Sequence, residues 1–166
     1  MSFQNFERPH ISLASVAPAD GNLLVAFPRG GPQATPVELQ NSVIVVDERD
    51  HEGVHIAVRN LAEDFARVTK GPPRPIVRTN GARIDVPTGS VAIVVGCVES
   101  SPLVQGLETG GKMDFSGIRG KWESFQTGLV REPFDGCDWA LVIAGSDKRG
   151  TIYGAYTLSE QIGVSP

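Results

Sequence analysis

Three short apolar runs constrain this chain more than any other feature: Ser42 to Val46, Val91 to Val95 and Trp139 to Ala144. The first is β-branched from Val43 onward and ends in the acidic cluster Asp47-Glu48-Arg49-Asp50; the other two end at or beside Gly96 and Gly145. Continuous apolar runs of this length suit strands covered on both faces. What lies between them is helical. Over Asp50 to Lys70, Val54, Val58, Leu61, Phe65 and Val68 fall within a stripe about 80° wide at 100° per residue, with Glu52, Arg59, Asn60, Glu63, Asp64 and Arg67 opposite. That stripe belongs on a sheet, and Gly71-Pro72-Pro73 stops the helix. Pro75 to Arg78 reads as a further strand. Ser101-Pro102 opens a short helix, with serine as N-cap and proline at the first helical position.

Trp122 to Arg131 and Trp139 to Ala144 flank Pro133-Phe134-Asp135-Gly136, a hairpin signal that makes these two strands antiparallel. Gly145-Ser146-Asp147 caps a last helix, Lys148 to Ile162, and Gly163 is its stop. The pattern predicts an α/β (α+β) fold: a mixed sheet of about five or six strands packed with about three helices. Residues 1–41 read as an N-terminal arm with an edge strand at Leu23 to Phe27, ended by the turn Pro28-Arg29-Gly30-Gly31-Pro32; residues 42–166 read as the α/β domain. At 166 residues the chain is one domain. A complete (β/α)₈ barrel, which takes about 250 residues, does not fit.

Net charge is −4, so the total charge supplies no positive footprint for nucleic acid. The first twenty residues lack the apolar run of a secretory signal, and no apolar stretch is long enough to cross a membrane. Cys97 and Cys137 form no Cys-x-x-Cys pair, which leaves the compartment open.

Several residues could carry chemistry. His51-Glu52-Gly53-Val54-His55 satisfies the His-Glu-x-x-His pattern, in which two histidines one turn apart bind zinc and the glutamate is general base on its water. The motif opens the helix instead of sitting inside it, Gly53 weakens its turn, and a third ligand would have to come from Glu63, Glu99 or Glu108. The competing reading is two polar residues edging a buried face. Cys97 sits between a strand and a helix start, where a dipole could stabilise a thiolate; a small buried apolar side chain is the plainer reading. Asp47, Glu48 and Asp50 could bind a cation or a sugar hydroxyl, against a solvated loop, which the sequence favours. The start of the last helix, Ser146 to Gly150, could take an anion; the favoured reading is an N-cap with Lys148 and Arg149 paired to carboxylates of an adjacent domain. Ile152, Tyr153 and Tyr156, with Ala155, Leu158 and Ile162, make that helix apolar around much of its circumference, so Ile152, Tyr153 and Tyr156 are expected to pack against another domain.

The stretch from Ala140 to Pro166, ALVIAGSDKRGTIYGAYTLSEQIGVSP, closely resembles the end of the N-terminal domain of glycoside hydrolase family 115, the α-glucuronidases that remove glucuronic acid or its 4-O-methyl ether from xylan. Ser101-Pro102-Leu103, Gly111 to Asp114, Gly120-Lys121-Trp122-Glu123, Gly53-Val54 and Asp64 to Thr69 resemble its pattern too, and the resemblance spans about Ser42 to Pro166. Where family members usually carry an aromatic residue or proline, this chain has His51-Glu52. The resemblance implies a non-catalytic domain beside a catalytic barrel that would follow Pro166, and that barrel would hold both carboxylates of glycoside hydrolysis. It therefore assigns no catalytic residue and no cofactor to this chain. It implies as partners the barrel of the same protein and, through it, a glucuronosyl substrate, with no nucleic acid or membrane; family members are often secreted. The rivals are a small zinc-dependent hydrolase using His51, Glu52 and His55, and a stand-alone carbohydrate-binding module. With 7% aromatic residues, the composition offers the latter no evident platform.

Overall fold

A computed structural model describes residues 37–39, 41–80 and 84–164, and the backbone of two strands at 16–19 and 22–25. The turn expected at Pro28 to Pro32 lies outside the described residues. Strands β1 (Val16–Ala19), β2 (Asn22–Val25) and β3 (Val37–Glu38) form a small antiparallel sheet with β2 in its middle. The segment read as an edge strand is thus flanked by a partner on each side, because β1 and β3 supply the ladder bonds that a lone edge would leave open.

The main sheet holds β4 (Val43–Asp47), β5 (Ile76–Thr79), β6 (Val91–Cys97), β7 (Phe125–Arg131) and β8 (Trp139–Gly145) in the order β5-β4-β6-β8-β7. All neighbours are parallel except β7, which runs antiparallel to β8 with Arg131 opposite Trp139 and Phe125 opposite Gly145. The three apolar runs are the three central strands β4, β6 and β8. Being covered on both faces, they have no need to alternate polar with apolar residues. Alternation instead sorts them between two cores. Ile44, Val46, Ile93, Val95, Leu141 and Ile143 face helices α1 (Glu52–Thr69) and α3 (Lys148–Gln161). Val43, Val45, Ala92, Val94, Ala140 and Val142 face helix α2 (Pro102–Thr109) and the segment carrying Phe115 and Ile118.

The helix boundaries follow their sequence signals. The Ser101 hydroxyl accepts from Val104 N at 3.4 Å, and the Asp147 carboxylate accepts from Gly150 N at 2.8 Å. The predicted face of α1 is the buried one: Val54, Val58, Leu61 and Phe65 are all within 1% of full burial. Helix α3 lies so close to β8 and β7 that a Cβ on Gly145 would stand 2.1 Å from Thr151 N, and one on Gly150 would stand 2.1 Å from Ser124 O. Only a hydrogen side chain fits at those two points.

Candidate functional site

Chain order and strand order together create a topological switch. From β4 the chain crosses by α1 to β5 on one side, then places β6 on the other side of β4, with α2 on the opposite face from α1. In open α/β sheets the crevice beyond the carboxyl ends of two such strands is the usual ligand position. Here that place, between the ends of β4 and β6, is occupied by the protein's own carboxylate. Asp50 accepts from Cys97 N at 3.2 Å and from the Ser100 hydroxyl at 2.9 Å, and is 6% exposed. Burial pushes its carboxyl above the ordinary carboxylate range, outweighing the hydrogen bonds from Ser100 and Cys97 that favour the charged form.

Asp47, at the end of β4, is wholly buried and receives the backbone N–H of Arg49 at 3.0 Å and its guanidinium at 3.0 and 3.3 Å. The solvated loop expected from the acidic cluster is therefore found only at Glu48 and Arg49. Hydropathy reads an acidic residue as solvent-facing, whereas Asp47 is held inside by its neighbour Arg49 and Asp50 by donors far along the chain. A cleft of about 260 Å³ opens beside Asp47 between Thr79, Pro102, Leu103 and Phe134. Its walls are apolar, and the Asp47 oxygens are covered and already bonded to Arg49.

The His-Glu-x-x-His residues are divided between surface and interior. His51 is the exposed N-cap residue of α1 and makes no side-chain cap bond; Glu52 is exposed, 3.5 Å from Arg59 Nη2; His55 is buried, its Nδ1 without a hydrogen-bond partner. Glu63 faces Arg67 at 3.7 Å, Glu108 is paired with Arg119, and Glu99 is exposed. Among the described residues no group of three or more His, Cys, Asp or Glu is placed to hold a metal ion. Cys97 is fully buried with its Sγ 4.0 Å from Ser146 O, the place of a small core side chain rather than an accessible thiolate.

At the start of α3, Asp147 caps the helix and also accepts from Glu123 N at 2.9 Å. Desolvation alone would raise its pKa, but the N–H groups of Gly150, Glu123 and Arg149, together with the Arg149 charge, hold it below the ordinary carboxylate range. Arg149 pairs with Glu123 of this same domain, which corrects the expected pairing with an adjacent one: the loop before β7 folds back onto the helix start and supplies the acid. Ile152 also has a partner inside this domain. It is half-buried against α1, where a Cβ on Gly53 would stand 3.1 Å from its Cδ1, and it packs on the main core. Tyr153 and Tyr156 remain 42% exposed, Ile56 on the neighbouring helix α1 is 44% exposed, and the Asn60 amide donates to the Tyr156 hydroxyl at 2.8 Å.

One residue that sequence reasoning passed over stands out. Trp122 is 80% exposed, the most exposed large apolar side chain described. Aromatic content gave no warning, because composition counts rings without saying which ones the fold leaves outside.

The chain thus has a mixed α/β architecture, with a sealed switch-point crevice and a partly apolar helical face. No protein-family model matches it, and no curated protein matches its sequence. A solved structure is similar: a family GH115 4-O-methyl-α-glucuronidase, BtGH115A, with specificity for decorated arabinogalactans, at 26% sequence identity and a TM-score of 0.52. The match covers 75% of this chain and 14% of that one, so the domain is similar to a small part of a glycoside hydrolase.

Proposed function

We propose that this chain is the N-terminal, non-catalytic domain of a glycoside hydrolase that removes (4-O-methyl)glucuronic acid from a plant polysaccharide. The observation that carries the reading is the similarity to 14% of a family GH115 glucuronidase, joined to a crevice closed by Asp50. Two carboxylates flanking a sugar bond must both be reachable by the sugar and its attacking water. Asp47 and Asp50, the two buried carboxylates where β4 ends, are 0% and 6% exposed and bonded within the protein. On this reading catalysis belongs to a barrel in the same protein, and Tyr153, Tyr156 and Ile56 are the surface that it covers. The sequence resemblance favours xylan as the polymer, while the similar solved enzyme is specific for decorated arabinogalactans.

The test is release of uronic acid from glucuronoxylan and from decorated arabinogalactan by the complete protein that carries this sequence. Release from either polymer by the complete protein, and none by residues 1–166, is the expected result. Absence of release from both by the complete protein would overturn the reading.

A further inference from the structure

We infer that Trp122, with Lys121 and Lys148, is a binding anchor for an acidic glycan chain, a polysaccharide bearing uronic acid; this deepens the proposed function and rests on it. The backbone on either side of the exposed ring is firmly bonded. Glu123 N donates to Asp147 Oδ2 at 2.9 Å, Ser124 N to Ser146 Oγ at 3.0 Å, and Ser146 N to Ser124 O at 2.8 Å. Lys121 N donates to Ile118 O at 3.0 Å, and Arg149 pairs with Glu123. The loop therefore hangs on the start of α3 at both of its residues that follow the indole. Glu123 adopts φ of 50°, a left-handed conformation that a side-chain-bearing residue takes only when its surroundings impose it. A loop so bonded fixes the backbone that carries the indole, which lowers an entropic cost of association.

The surroundings indicate the partner. The other exposed large apolar residues described, Ile56, Tyr153 and Tyr156, are on α1 and α3, whereas the neighbours of Trp122 along its loop are Gly120, Lys121, Glu123 and Ser124. An anchor for another protein is normally ringed by apolar contacts that exclude water. An exposed indole whose neighbours along the chain are polar suits a ligand with one apolar face and a wet rim. The C–H face of a pyranose is such a surface, and its weakly positive hydrogens meet the negative face of the ring.

Charge selects among sugars. The chain is acidic overall at −4, yet Lys121, two residues before Glu123, and Lys148, next after Asp147, are both exposed, and no ion pair engages either lysine among the described residues. With Glu123 paired to Arg149 and Asp147 bonded to Gly150 N and Glu123 N, two exposed lysines on the two segments joined here favour a carboxylate on the stacked sugar or its neighbour.

The experiment is calorimetric titration of the 166-residue chain with a xylo-oligosaccharide carrying one 4-O-methylglucuronic acid, and with the neutral xylo-oligosaccharide of the same length. The acidic ligand should saturate the protein and the neutral one should bind more weakly. Trp122→Ala should weaken the acidic ligand about tenfold or more, and Trp122→Tyr, which keeps a platform, should restore most of it. Joint replacement Lys121→Gln and Lys148→Gln should bring the acidic ligand down to the neutral level and abolish its salt dependence. Absence of saturation by either ligand, or undiminished binding by Trp122→Ala, would overturn the inference. So would a loss on Trp122→Ala of association with the rest of the protein while oligosaccharide binding stayed intact. Because uronic acid release by the complete protein is measured separately, these results can fail while the glucuronidase reading stands.

Discussion

Two junctions at the same edge of the sheet are built in opposite ways. Where β4 and β6 end, a single side chain does the joining: Asp50 reaches 47 residues ahead to Cys97 N and 50 ahead to the Ser100 hydroxyl, and burial raises its pKa. Where β8 passes into α3, backbone meets backbone through Gly145 and Gly150, and Asp147 satisfies N–H groups at a half-exposed helix start that lower its pKa. The same residue type, one turn from a strand end in each case, is pushed in opposite directions. Desolvation outweighs three donors, Ser100, Cys97 N and His51 N, at Asp50, and three N–H groups with a guanidinium outweigh desolvation at Asp147.

The largest expected effect is at the second junction. Gly145→Ala or Gly150→Ala must drive a methyl group into backbone atoms 2.1 Å away, so each should cost about 3 kcal/mol or more, read by denaturant unfolding. Tolerance of either change would mean that α3 can lift off β8, and the contrast between the junctions would fail. Next comes Asp50→Ala, which leaves Cys97 N and the Ser100 hydroxyl without their acceptor and should cost about 1–3 kcal/mol. Asp147→Ala removes a helix cap at a partly exposed site and should cost about 1 kcal/mol.

The pH dependence separates the two acids more sharply than these totals. Asp50 has a raised folded pKa, so the stabilisation it brings is complete below the ordinary carboxylate value and is lost as pH rises through the raised one. Asp147 has a lowered folded pKa, so its contribution is present above the ordinary value and is lost as pH falls through the lowered one. Unfolding curves over a pH series should therefore show the native protein gaining on Asp50→Asn as pH falls, and losing its advantage over Asp147→Asn. Parallel curves for the two pairs would dissolve the comparison. The smallest effect on stability lies outside both junctions. Tyr153→Glu with Tyr156→Glu should change unfolding by about 0.5 kcal/mol or less, yet abolish binding of a hydrophobic dye or self-association by the isolated chain. Monomeric, dye-free behaviour of the unaltered chain at high concentration would remove the reason to see a docking face there.

What the sequence made legible follows from range. The β4, β6 and β8 runs, the α1 stripe and the caps at Ser101 and Asp147 are local patterns with local physical causes, and the structure places each where its residues indicated. The mixed sheet packed with three helices was readable for the same reason. Asp47 was misread because hydropathy does not show that Arg49, two residues on, folds back onto it, and Asp50 because its donors come from the end of the neighbouring strand, 47 and 50 residues further on. Arg149 was sent to a neighbouring domain because nothing in the sequence says that Glu123 folds back beside it. Trp122 was missed because exposure is decided by the loop that carries the ring, which is pinned by residues 22 to 24 positions further on.

The central claim is that this chain's buried carboxylates are structural and that glycoside cleavage takes place elsewhere in the protein. Purified residues 1–166, incubated with an aldouronic oligosaccharide and assayed for free uronic acid across acidic to neutral pH, should release none. Turnover that disappears in Asp50→Asn, with the fold of that variant intact, would contradict the account.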